Sequence, residues 1–236
     1  LRNKSDSYVG IGNSHSILVN RISYLLDLCG PSEAIDTACS SSLTAVHRAV
    51  QSILSGECQL AIAGGVNGLF YPNTFISCSK AKMLSVDGRC KPFSDVANGY
   101  VRSEGAGAII LKPLTQAQHD RDHIYGIIRS TAVNHGGKVN SLTAPDPKAQ
   151  AKLIISAYKR ANIDPNTVSY IEAHGTGTNL GDPIEINALK SAFSELAIQN
   201  ERTLNKHYCG IGAIKSNIGH METAAGIAGI IKVLLL

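Results

Sequence analysis

The sequence predicts an α/β fold built in layers, and three features carry that expectation. Short apolar segments alternate with stretches of helical spacing, turn residues separate the two kinds, and no low-complexity segment or short repeat interrupts the pattern. The chain has 236 residues, 44% of them hydrophobic, which suits one large packed unit or two small ones.

The elements follow in order. Residues 14–28 space Ile17, Leu18, Ile22, Leu25 and Leu26 as a helix, with Ser14 as its cap and Gly30-Pro31 as its stop. Residues 34–37 read as a short strand. Residues 41–54 form a second helix, with Leu43, Val46, Val50, Ile53 and Leu54 on one side and Gly56 beyond its end. Residues 60–63 are a compact strand ending at Gly64-Gly65. That pair reads as a turn, since neither a G-x-G-x-x-G nor a Walker pattern surrounds it. Residues 72–99 are rich in turn formers and read as a surface excursion. Strands are expected at 107–111 and 124–128, around a polar helix near 115–120. Pro145 and Pro147 open a helix that runs to about Ala161. A strand at 168–173, a helix at 184–196, a strand at 209–214 and a helix from Thr223 complete the series.

Composition narrows the function classes. The net charge of +4 comes from scattered Lys and Arg, with no run of five or six, which argues for a solvated surface rather than a nucleic-acid face. A mildly basic face would still suit an acidic protein partner. The six cysteines include no C-x-x-C pair, so neither a zinc ribbon nor a dithiol redox pair is expected, and the chain fits a reducing, cytoplasmic compartment. No signal peptide opens the sequence, and the apolar run at 226–236, interrupted by Lys232, is short of the ~20 residues a membrane span needs. Leu1 at the start and the apolar Val233-Leu234-Leu235-Leu236 at the end read as a piece of a longer protein.

Three side chains stand where strands give way to loops or helices. Cys39, in Asp36-Thr37-Ala38-Cys39-Ser40-Ser41-Ser42, precedes a helix, whose N-terminal dipole and free N–H groups would lower the thiol pKa and could receive an oxyanion. His174 lies in Glu172-Ala173-His174-Gly175-Thr176-Gly177-Thr178, a glycine-rich loop with two hydroxyls. His220 ends Lys215-Ser216-Asn217-Ile218-Gly219-His220. Each residue alone is as readily a packing residue, but one cysteine and two histidines at equivalent junctions point to one site. The junctions at Thr37-Ala38-Cys39-Ser40 and at Lys215-Ser216-Asn217-Ile218-Gly219-His220 also look alike, as if two similar halves met there. The other cysteines, and His15, His47, His119, His123 and His207, read as packing or surface residues.

In this order the three segments resemble the active-site signatures of the β-ketoacyl synthases, and the resemblance runs through essentially the whole chain. Asn98-Gly99-Tyr100-Val101-Arg102 and Gly181-Asp182-Pro183-Ile184-Glu185 are also similar to the family. Gly12-Asn13-Ser14-His15-Ser16, Asn134-His135-Gly136-Gly137 and Ser141-Leu142-Thr143-Ala144-Pro145 resemble modular polyketide synthases served by a separate acyltransferase. In that setting His135 would be a candidate lining residue of the substrate channel.

The resemblance implies a thiolase-like layered α/β/α/β/α fold, of which this chain would be a fragment. Residues from about 1 to 115 would be the end of an N-terminal half with the nucleophile, and about 116 to 236 the start of a C-terminal half with both histidines. It implies decarboxylative Claisen condensation. Cys39 would take an acyl chain from a phosphopantetheine thioester, and a malonyl-type extender on an acyl carrier protein would then lose carbon dioxide and attack it. His174 and His220 would stabilise the thioester oxygen, Lys215 would support them electrostatically, and Thr176 and Thr178 would contact the pantetheine arm. The partners implied are an acyl carrier protein, a second copy in a homodimer and a separate acyltransferase, with no tightly bound cofactor, no metal, no nucleic acid and no membrane.

Met221 and Ser103 depart from the family pattern, where Thr and Gly are common, without removing a reacting group. The family's Gly-Phe-Gly segment, with its second oxyanion donor, would lie beyond Leu236. A non-condensing acyl-transfer or scaffold domain, a cysteine hydrolase and a Cys39–His174–His220 zinc site are the alternatives to be weighed.

Overall fold

The computed structural model describes residues 7–139 and 144–236. The helices are α1 Val9–Asn13, α2 His15–Leu25, α3 Ser41–Leu54, α4 Pro72–Lys80, α5 Leu114–His119, α6 Pro147–Ala161, α7 Gly181–Gln199, α8 Lys215–Ile218 and α9 Ala225–Leu234. The strands are β1 Ala61–Asn67, β2 Gly105–Leu111, β3 Tyr170–Glu172 and β4 Gly210–Gly212. Antiparallel β1 and β2 run from Ala61 opposite Leu111 to Asn67 opposite Gly105, and parallel β3 and β4 pair Tyr170 with Gly210.

Local chemistry explains several boundaries. α6 opens on Asp146, whose carboxylate accepts from the Lys148 N–H, with Pro147 in the first turn. It closes on Asn162 in the left-handed region at φ 50°, after Lys159 and Arg160. α3 has a different start. Ser40 Oγ donates to Thr37 O at 2.9 Å, and Ser41 Oγ accepts from Thr37 N–H while donating to Ala38 O. Ser42 Oγ, fully buried, accepts from the Ile227 N–H at 3.0 Å. The serines after Cys39 thus hold the tight turn and tie α3 to α9.

Two apolar clusters organise the interior. Val46 of α3, Ala63 of β1, and Met221, Ala224, Ile227 and Ala228 form the first. Ala151 and Ile155 of α6 form the second with Ala188, Ala192 and Leu196 of α7. Small residues at these contacts let the helix axes approach closely.

Four sequence expectations change. β1 continues through Gly64 and Gly65 instead of turning there. A Cβ on Gly64 would lie 2.6 Å from Gly107 O, and one on Gly65 would lie 2.8 Å from Ser42 Cβ, so the pair marks close packing. Residues 34–37 and 124–128 are not strands: each lies outside the named helices and strands. The 72–99 excursion contains α4, started by Pro72. Among the described residues α2 has no buried side chain, so its apolar stripe faces outward. The 141–143 part of the Ser141–Pro145 resemblance lies outside the described residues, and His135 is exposed, its Nδ1 accepting from the Gly137 N–H.

Candidate active site

Cys39 sits in a single 3-10 turn, Ala38–Ser40, that leads into α3. Ala38 holds φ 55°, a left-handed conformation unusual for a residue with a side chain, which bends the chain sharply just before the thiol. The expectation of a lowered thiol pKa is overturned. Burial pushes the Cys39 thiol up and the Glu222 carboxylate adds to this, while the Lys215 charge and the cysteine's own backbone N–H pull down without prevailing.

The two histidines meet the thiol from the other half of the sequence. One ligand-type atom from each of Cys39, His174 and His220 falls within 4.8 Å of the other two. The imidazoles stand edge to face, with centroids 5.4 Å apart and planes at 84°. Burial, with the nearby Lys215 charge, lowers His174 to about 4 and His220 to about 3. His174 is reachable from solvent although protein crowds its ring; His220 is buried. Both rings are therefore neutral near pH 7.

Hydrogen bonds set the direction of each ring. Glu222 N–H donates to His220 Nδ1 at 3.0 Å, so that nitrogen carries the lone pair and Nε2 carries the proton. Tyr100 packs edge-on against the His220 ring at 5.2 Å. The His174 backbone is held by Glu185 of α7, whose carboxylate accepts from the N–H groups of His174 and Gly175 at 2.7 and 2.8 Å. Asp182, in the first turn of α7, accepts from Gly177 N–H and Phe93 N–H. Phe93, Gly99, Tyr100, Val101 and Arg102 all come from the connection between β1 and β2. Gly99 N–H donates to Gly177 O at 2.9 Å, and His220 N–H donates to Val101 O at 2.7 Å. This segment fastens both histidine loops.

Lys215 opens α8 with only 4% of its surface exposed, and burial lowers its pKa against the pull of Glu185, Cys39 and Glu172. Thr176 and Thr178 place their hydroxyl oxygens 3.1 Å apart, and Thr178 Oγ1 accepts from the Gly181 N–H. The glycines between and before them are dictated by the backbone: Gly175 and Gly177 have φ of 40° and 75°, and a Cβ on Gly177 would lie 2.8 Å from Lys91 N. A cleft of about 460 Å³ opens beside Thr178, lined also by Phe93, Ala97, Pro183 and Ile186.

Cys39, His174, His220, Lys215, Thr176 and Thr178 thus fall in one region, and no described contact brings His135 to it. Sequence reading assigned no role to Tyr100, Glu185 or Glu222. The first two stood in segments with family resemblance; for Glu222 the only signal was its place two residues after His220.

The family model described as "Beta-ketoacyl synthase, N-terminal domain" matches residues 1–117, and that described as "Beta-ketoacyl synthase, C-terminal domain" matches residues 125–236. The chain belongs to the β-ketoacyl synthase family. Among curated relatives of this ketosynthase chain, polyketide synthase PksN of Bacillus subtilis is 57% identical over 222 residues, 94% of this chain and 4% of the relative. Polyketide synthase ThaG of Burkholderia thailandensis is 51% identical over 225 residues, 95% of this chain and 4% of the relative. Among solved structures, the ketosynthase from module 6 of the bacillaene synthase of Bacillus subtilis superimposes with a TM-score of 0.90 at 50% identity, over 95% of this chain and 39% of that one. The oxazolomycin ketosynthase domain OzmH KS7 of Streptomyces albus gives 0.89 at 47% identity, over 94% and 37%. The fold is the layered, thiolase-like α/β fold of ketosynthase domains, and the chain spans under half the length of those solved chains. Among the described residues no helix is long and apolar enough to cross a membrane.

The spacing of Cys39, His174 and His220 would admit a metal ion with bonds of ~2.0–2.3 Å after a small contraction. Their protonation fits it poorly. The Glu222 N–H occupies the His220 Nδ1 lone pair, so Nε2 offers a proton rather than an electron pair.

Proposed function

We propose that this chain carries the reacting groups of a condensing enzyme that joins a cysteine-bound acyl chain to a malonyl-type extender. The observation that carries the reading is the convergence of Cys39, His174 and His220 within 4.8 Å, two neutral imidazoles beside one thiol.

In the first step the Cys39 thiol gives its proton to solvent. The thiolate attacks the acyl thioester of a phosphopantetheine arm and expels the pantetheine thiolate, which takes up a proton. In the second step an extender held as a thioester breaks its bond to the carboxylate and releases carbon dioxide. The electron pair passes into an enolate whose oxygen accepts hydrogen bonds from the histidines. The enolate carbon then attacks the acyl carbonyl on Cys39, forms the new carbon–carbon bond and returns the thiolate. Neutral imidazoles of low basicity are suited to this: they donate to the developing oxyanion without becoming bases that would quench the carbanion. Lys215 supplies a fixed positive charge behind them, and Thr176 and Thr178 receive the arm beside the cleft.

The same electrostatics weigh against a Cys–His hydrolase. Such an enzyme needs an imidazolium beside a thiolate, and here the histidines lie at about 4 and 3 while the thiol is raised. A non-condensing acyl-transfer or scaffold domain would have no use for a second aligned histidine.

On this reading the partners are an acyl carrier protein and a second copy of the ketosynthase, with the extender loaded by a separate acyltransferase. No cofactor beyond the carried phosphopantetheine is needed, the setting is cytoplasmic, and the halves divide near residue 116. The test is peptide mass spectrometry of the full-length protein after incubation with an acyl-pantetheine thioester. Acyl mass on the Cys39 peptide, absent in Cys39→Ala, and carbon dioxide release from a malonyl thioester are the expected results. A folded protein that gains no acyl mass with several chain lengths overturns the reading.

A further inference from the structure

Glu222 does two separate things. Its backbone N–H points at His220 Nδ1, and its carboxylate points away, toward Arg102. The N–H is aimed from an unfavourable backbone: Glu222 holds φ 42°, in the left-handed region that side-chain-bearing residues avoid. Such a conformation persists only where its surroundings fix it.

The fixing contact is a paired one. Arg102 Nε and Nη2 donate to the two carboxylate oxygens of Glu222 at 2.5 and 2.9 Å. Arg102 is itself enclosed: it is 8% exposed, and its guanidinium lies 4.6 Å from the centre of the Phe75 ring. Its backbone runs beside His220 as a parallel bridge, with His220 N–H donating to Val101 O and Ser103 N–H donating to His220 O. Arg102, His220 and Glu222 therefore form a closed loop of contacts, strand bridge on one side and ion pair on the other. Arg102 Nη1 is buried without a hydrogen-bond partner among the described residues, so Glu222 is the side chain that accepts this guanidinium's hydrogen bonds, with Phe75 packed on its face.

We propose that Glu222 is a positioning residue that, through its pair with Arg102, fixes the tautomer and aim of His220 and so sets the rate of the decarboxylation half-reaction. The inference rests on the condensation reading. It has a signature that general loss of structure lacks. The groups that act electrostatically on Cys39 are Glu222, which opposes the thiolate, and Lys215, which favours it. Removing the Glu222 charge acts on the two half-reactions in opposite senses: the thiolate forms more readily, and the histidine donor is held less well.

The test uses Glu222→Gln in the full-length protein, with Arg102→Lys as a second variant that keeps the charge and loses the fork. Three readouts are followed: iodoacetamide alkylation of Cys39, carbon dioxide release from a malonyl-pantetheine thioester, and the nitrogen-15 signals of the His220 ring. In Glu222→Gln, kcat for carbon dioxide release is expected to fall about 10- to 100-fold with KM within about twofold. Alkylation at pH 7 is expected to be as fast as in the parent or faster. The ring signals are expected to move from a single Nε2–H tautomer toward a mixture. Arg102→Lys is expected to show the same loss of carbon dioxide release and the same ring signals. Unchanged carbon dioxide release and ring signals in Glu222→Gln overturn the inference, as does an equal loss of alkylation and carbon dioxide release in both variants. A parent protein that alkylates normally but releases no carbon dioxide overturns the condensation reading instead, and the ring signals still decide whether Glu222 fixes His220.

Discussion

Glu185 holds His174 by its backbone, not by its ring: one carboxylate accepts from the N–H groups of His174 and Gly175. The imidazole is left free to face the thiol, and its direction is inherited from helix α7. Glu185→Gln keeps one carbonyl oxygen and turns an amide donor toward a backbone donor. Leaving a partly buried N–H unpaired costs about 1–3 kcal/mol. Carbon dioxide release is expected to fall by roughly 5- to 150-fold, with Cys39 acylation little changed, as separate single-turnover assays of the two steps would show.

The pH dependence should separate the steps as well. Cys39 is raised, so its alkylation rate should climb with pH and level off only above the ordinary thiol range. Decarboxylation should be flat through neutrality and fall only as the rings take protons, near pH 4 and below. Stability follows with its own sign. Both histidines ionise near 6.5 when unfolded and at about 4 and 3 when folded, so below about pH 6.5 the unfolded chain binds more protons. Stability is expected to drop as pH falls from 6.5 toward 3. Chemical denaturation in a pH series checks this, and a midpoint constant across that range would contradict it.

Gly65→Ala should damage the site from a distance. The new methyl would lie 2.8 Å from Ser42 Cβ and 3.0 Å from Ala224 Cα; Ser42 belongs to α3, which follows Cys39, and Ala224 to the turn between His220 and α9. Overpacking of this kind costs about 1–3 kcal/mol. A lowered thermal midpoint is expected, together with slower acylation in the protein that remains folded.

Ala38 offers a gentler probe. At φ 55° a β-branched side chain is strongly disfavoured, so Ala38→Val is expected to lose about 1–2 kcal/mol and to slow acylation. Ala38→Gly should keep the acylation rate. Equal rates for both variants would show that the bend before Cys39 has no bearing on the nucleophile.

Much of this was legible in the sequence, and the limits have physical causes. α3 was expected at its observed bounds, because Val46 and its neighbours face one core cluster and small polar residues mark its start. Cys39, His174 and His220 read in sequence as three strand ends, yet only His174 follows a strand, β3; Cys39 sits in a 3-10 turn and His220 follows α8, so their convergence was legible through the family resemblance and not through equivalent junctions. Gly64-Gly65 misled because tight packing and turning both favour glycine, and only the partner atoms distinguish them. The 124–128 segment has strand composition, yet pairing depends on a neighbour that composition does not name. The direction of the Cys39 shift is hidden from sequence because a helix terminus is visible there and burial is not. Glu222 escaped notice because its partner Arg102 lies 120 positions away.

The connection between β1 and β2 lies within the N-terminal family match, yet it is laced by backbone hydrogen bonds to both histidine loops. A hybrid enzyme spliced between residues 117 and 125, where the two family matches part, would join a connection from one parent to histidine loops from another. Exchange of the nucleophile alone would succeed more readily than exchange of a half. The unit to be inherited together is the pair of histidine loops with residues 91–103, a grouping that cuts across the linear order of the gene.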